Sequence, residues 1–126
     1  MKLNTVFVVF AVVYIIFGLG FLLAPEMLLG GYSATGPSAG EVGLARLLGA
    51  FHLGYAVLAW LARSITETSA RRKIVVSVLV LSIVNLLVFL KATLIDGRTT
   101  AADWFNVILV AVFAVGFGYF YFTKRE

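Results

Sequence analysis

The sequence predicts an all-α integral membrane protein: a four-helix up-down-up-down bundle forming a single domain over residues 1–126. Three observations predict it. Apolar residues make up 62% of the 126-residue chain, against about half in soluble domains. They gather into four runs, residues 3–24, 42–60, 74–95 and 101–122, each near the ~20 residues a helix needs to cross a hydrocarbon core of about 30 Å. Those runs lack a polar stripe, as the opening of the third shows: Ile74, Val75, Val76, Ser77, Val78, Leu79, Val80, Leu81. A helix apolar all round belongs in lipid or deep in a large protein, and 13.7 kDa leaves no such interior.

The first run begins after a single basic residue, Lys2, and stays apolar from Val6 to Leu23. That is longer than the apolar region of a secretory signal, and its small-x-small triplet, Gly18-Leu19-Gly20, lies inside the run. It is read as a retained span. Pro25 ends it, because proline breaks the hydrogen-bond ladder and restricts the residue before it. Residues 30–37, with Gly30, Gly31, Gly36 and Pro37, form a flexible loop.

Ser38-Ala39-Gly40-Glu41 has the spacing of a capping box and should start the second helix. Ser69 is the expected cap of the third. Thr100 and Asp103 offer a cap and an N-terminal carboxylate for the fourth, after a turn at Asp96-Gly97-Arg98. Short connections make neighbouring helices antiparallel.

Charge sets the orientation. With the amino terminus inside, Lys2, Arg63, Arg71, Arg72, Lys73, Lys124 and Arg125 are cytoplasmic, and Arg46, Lys91 and Arg98 lie outside. Basic residues favour the cytoplasmic side, so both termini are expected in the cytoplasm. Trp60 with Tyr119, Phe120, Tyr121 and Phe122 would make the inner aromatic belt, and Trp104 with Phe105 the outer one. The net charge of +4 is explained by lipid headgroups at span ends, with no nucleic-acid partner.

Several chemistries are excluded. With no cysteine and one histidine, the chain has no disulfide, thiolate metal site or dithiol centre of its own, and no metal site or cofactor is expected. No H-E-x-x-H, G-x-S-x-G or phosphate-binding glycine loop occurs.

Polar groups within the spans are the candidates for function, since each is costly in lipid unless it faces the bundle interior or water. Arg46 falls in the first two turns of the second helix and Lys91 about one turn from the end of the third, so the two share a height in the outer leaflet. They offer a site for an anionic headgroup or substrate; alternatively Arg46 pairs with Glu41 or Glu26 while Lys91 snorkels. Tyr14, His52 and Asn85 form a deeper layer, each roughly 15–20 Å from its helix start. His52 suits a ligand contact, a proton carrier or a plain interhelical hydrogen bond. Ala45/Gly49 and Ala50/Gly54 are small-xxx-small pairs that let the second helix approach neighbours on two sides.

One resemblance adds to this. The first span ends in Leu22-Leu23-Ala24-Pro25, a Gly/Ser loop follows, and the second span reads Ala45-Arg46-Leu47-Leu48-Gly49-Ala50-Phe51-His52-Leu53-Gly54-Tyr55 before a third span ending in Asp96-Gly97. This layout resembles the small four-helix bacterial membrane proteins called DoxX-like. The resemblance implies a bacterial inner membrane and a membrane-complex or quinone-linked role, with Arg46 as the position carried over.

The expected function is a structural or accessory subunit, self-associating as a homo-oligomer or attached to a larger membrane complex among membrane lipids, and not itself an enzyme. The alternative is a protein that binds or transports a lipid, quinone or amphipathic anion, with Arg46 at the charged end and Tyr14, His52 and Asn85 inside.

Overall fold

A computed structural model describes residues 2–32 and 35–123; Ser33, Ala34 and the basic pair Lys124 and Arg125 lie outside the described residues. The chain forms α1 (Leu3–Leu23), α2 (Pro25–Leu29), α3 (Ala39–Ala62), α4 (Thr68–Leu94) and α5 (Ala101–Thr123). Four of these, α1, α3, α4 and α5, are long and apolar enough to cross a membrane. They form the expected all-α four-helix arrangement. The faces they leave uncovered are apolar throughout, with Leu87 at 62% and Val115 at 72% exposure. So much uncovered hydrocarbon is what lipid, rather than water, accommodates. The chain is a small membrane protein.

Helix ends have local causes. Ala24 leaves the helical region and Pro25 opens α2 at its first position, where a missing N–H costs nothing. A short helix thus precedes the loop expected at residues 30–37. The Ser38–Glu41 capping box is formed: Glu41 N–H donates to Ser38 Oγ at 3.3 Å, and Ser38 N–H donates to Glu41 Oε2 at 2.6 Å. Ser69 does not cap α4, which already starts at Thr68 with Glu67 as the preceding residue. Gly97, at φ 73°, takes the left-handed conformation that ends α4. The chain folds back so that Arg98 N–H reaches the Ala92 carbonyl at 3.0 Å, and Arg98 is thereby aimed at the start of α5.

The helices pack most extensively as two pairs, α1 with α3 and α4 with α5, joined mainly through α1 and α5; α3 and α4 barely touch. Ala45, Gly49, Ala56, Ala59 and Ala62 form the buried stripe of α3. Small side chains there let α1 come close.

In the half of the bundle nearer the chain termini the core is packed, with an open groove at the surface beside Asn4, Trp60 and Arg63. Phe7, Phe10, Phe113, Phe117 and Phe120 fill that core, with Val75 and Val78 from α4. Phe10 stacks on Tyr14 at 4.0 Å and meets Phe113 edge-on at 4.9 Å. Phe120, expected in the aromatic belt, is thus part of the core; Trp60, Tyr119 and Phe122 stay exposed. The opposite half is not filled.

Candidate functional site

A cavity of about 460 Å³ occupies that second half, between α1, α3, α4 and α5 and beneath α2. Its floor is the layer Tyr14, His52 and Asn85. Tyr14 and His52 stack with ring centroids 4.8 Å apart, and Phe21 flanks the histidine at 5.8 Å. The Tyr14 hydroxyl lies beside the Asn85 side chain. The imidazole Nδ1 lies 2.8 Å from the Leu48 carbonyl. The walls are apolar and aromatic: Val13, Phe17, Leu44, Leu48, Phe89, Leu109, Val110 and Phe113.

The far rim is polar. Asp103 is almost fully buried and holds three partners: the Arg98 guanidinium at 3.2 Å, the Thr100 hydroxyl at 2.6 Å and the Thr100 N–H at 3.2 Å. The Thr100 oxygen in turn accepts from Asp103 N–H at 3.2 Å, closing the cap expected at Thr100. One turn on, Asn106 donates to the Tyr32 hydroxyl and to the Ala102 carbonyl. The Arg98 guanidinium lies 5.3 Å from the Tyr32 ring centroid. Burial pushes the Tyr32 hydroxyl above its usual pKa; Asp103 adds to this, while the Asn106 bond and the Arg98 charge act the other way.

The cavity is open to the surface beside α3. Leu44 and Leu48 line it and are also exposed, Leu44 by 68%, where α3 and α4 touch least.

The family model described as a domain of unknown function, DUF8292, matches residues 8–126. The chain belongs to that family. No curated protein and no solved structure matches the chain.

Within this DUF8292 chain the deep layer expected from sequence, Tyr14, His52 and Asn85, comes together around one cavity. The two cations do not join it. Arg46 stands on an exposed face of α3, away from the cavity lining, with no ion pair among the described residues. Lys91 is exposed and paired with Asp96, its Nζ 2.9 and 3.0 Å from the two carboxylate oxygens. The small pairs divide: Ala45 and Gly49 are buried, whereas Ala50 and Gly54 face outward. Ser82 is buried and donates back to the Val78 carbonyl at 2.9 Å.

Sequence reasoning missed the rim of Tyr32, Arg98, Asp103 and Asn106. A signal was present: Asp103 and Asn106 stand three apart, one helical turn, and so share a face. A group of three or more His, Cys, Asp or Glu side chains able to hold a metal is absent among the described residues.

Proposed function

We propose that the protein binds an amphipathic, mostly apolar small molecule drawn from the bilayer, held between its helices. One observation carries this reading: a cavity of about 460 Å³ lies between the helices, within the range of about 300–1,000 Å³ usual for small-molecule sites. Its polar floor against aromatic walls suits a ligand with one polar end, such as a lipid or a lipophilic ring compound of the quinone type. Arg46, outside the lining, is not needed to hold it. The exposed apolar side chains Leu44 and Leu48 in the lining support entry from the membrane.

Orientation belongs to the same reading. Arg63, Arg71, Arg72 and Lys73 gather at the end that holds the termini, which supports a cytoplasmic location for that end. The DoxX-like resemblance adds the bacterial inner membrane.

The test is native mass spectrometry of the protein extracted gently from its own membrane. A reproducible small-molecule adduct, lost when Leu48→Trp fills the cavity, is the expected result. Wild-type protein without any adduct, and unable to take one up from added membrane lipid extract, would overturn it.

A second reading, an accessory or self-associating subunit, is favoured by one observation. Gly54 has open space beside it and Ala50 is exposed on the same helix, so a close helix contact is available outside the bundle. Gly54→Leu should then reduce assembly size, as read from the mass of the detergent-solubilised particle.

A further inference from the structure

We infer that the ligand end seated on the cavity floor is a neutral hydroxyl carried on a flat ring, a phenol-type group that donates a hydrogen bond to His52 Nε2. This rests on the reading that the cavity holds a ligand.

The inference follows from what His52 already does. Its Nδ1 is 2.8 Å from the Leu48 carbonyl oxygen, and a carbonyl can only accept, so Nδ1 must carry the hydrogen. In a neutral imidazole the other nitrogen, Nε2, then keeps its lone pair. The neutral ring is the form this setting holds, because the floor has no carboxylate to pair with an imidazolium. Glu41, the acidic residue of the lining, is 11 positions up the same helix, about 16 Å away, and closes the Ser38 cap. Nε2 has no hydrogen-bond partner among the described residues, and it is not sealed from contact either. The floor thus presents an acceptor that needs a donor.

The neighbours narrow the class further. Asn85 has two amide hydrogens, and its neighbour Tyr14 can take up at most one of them, so an N–H remains for a ligand oxygen. Among neutral oxygen groups, the one that both donates and accepts at a single atom is a hydroxyl. A carboxylate is disfavoured, since it has no proton for Nε2 and the floor holds no cation: Arg98 is at the rim with Asp103, and Arg46 lies outside the lining. An ammonium is disfavoured for the lack of a floor carboxylate. The ring follows from the walls, where Tyr14 and His52 already stack and Phe21 and Phe113 flank them.

The test uses a matched pair, 4-nonylphenol and its methyl ether 4-nonylanisole, which share ring and tail and differ in the donor hydrogen. Binding is measured by calorimetry on the full chain in detergent micelles, with the wild type and two variants. His52→Phe keeps a flat ring and loses the acceptor; His52→Gln retains an acceptor oxygen. We expect the wild type to prefer the phenol about tenfold, His52→Phe to lose that preference, and His52→Gln to keep part of it. Comparing preferences between proteins cancels the different micelle partitioning of the two probes.

A second measurement needs no variant. His52 is the only histidine in the chain, so its nitrogen NMR signals are unambiguous, and the Nε2 signal should move with the phenol and stay with the ether. A phenol preference no larger in the wild type than in His52→Phe, or an unmoved Nε2 signal with phenol bound, would overturn the hydroxyl assignment and leave a ligand-binding cavity. No binding of either probe would overturn the assignment and count against the cavity reading itself.

Discussion

Gly18 of α1 and Gly49 of α3 meet backbone to backbone. A β-carbon on Gly49 would stand 2.8 Å from the Gly18 carbonyl oxygen and 3.1 Å from the Leu22 amide nitrogen. Neither atom can move without moving the helix. This contact fixes the separation of the best-packed helix pair, and so sets one wall of the cavity that opens beside it.

Gly49→Ala should therefore destabilise the fold by about 1–3 kcal/mol, the usual cost of overpacking. Gly54→Ala is the control: nothing lies within 4 Å of its β-carbon position, and the change should be within about 1 kcal/mol, in the stabilising direction if helix propensity dominates. Unfolding midpoints in mixed micelles separate the two. Equal effects would mean that α1 and α3 do not pack through Gly49.

Two ion pairs near the far end should behave oppositely. Asp103 is 1% exposed and its carboxylate holds both Thr100 and Arg98. Asp103→Ala removes the carboxylate half of the α5 capping box and leaves those donors unmatched, a loss of about 2–4 kcal/mol. The Lys91–Asp96 pair is exposed on both sides, so Lys91→Gln should cost well under 1 kcal/mol. The same unfolding assay decides it; a large Lys91 effect would point to a contact outside the chain.

Tyr32 gives a pH dependence whose sign is determined. Burial raises its pKa in the folded state, so the folded chain keeps the proton at a pH where the unfolded chain has begun to lose it. The contribution to stability is complete below about pH 10, the ordinary tyrosine value, and falls as pH rises through and above it. Other groups titrate there too, so the readout is a difference. Between pH 9 and 11 the wild type should lose more stability than Tyr32→Phe; parallel curves would show that Tyr32 is solvated.

The architecture was readable in the residues because lipid imposes a one-dimensional constraint. A run of apolar residues must be helical and must be long enough, which sequence reports directly. The Ser38–Glu41 and Thr100–Asp103 caps were readable for a similar reason: both ends of each bond lie within one turn. Depth was readable too, and it brought Tyr14, His52 and Asn85 to one level.

Rotation was not readable. Helices apolar on every side carry no mark of which face turns inward, so Arg46 and His52, six positions apart on α3, gave no sign that only the histidine lines the interior. The rim depended on a fold-back at Gly97 and on Tyr32 approaching from a distant loop. Neither contact leaves a spacing pattern.

The orientation of the rim is open to a clean experiment, because the chain has no cysteine and any single introduced thiol reports alone. Glu67→Cys lies in the exposed turn before α4, at the end that holds the termini, and Thr99→Cys lies in the exposed turn before α5, at the other end. With the basic end in the cytoplasm, a membrane-impermeant maleimide should label Thr99→Cys in intact cells and Glu67→Cys only after lysis. The two sites sit at opposite ends of α4, a helix of 27 residues spanning about 40 Å, so one reagent cannot reach both from one side. Reversed labelling would put the Arg98–Asp103 rim on the cytoplasmic face. The cavity's half of the bundle would then lie in the inner leaflet, and its ligand would be drawn from that leaflet instead.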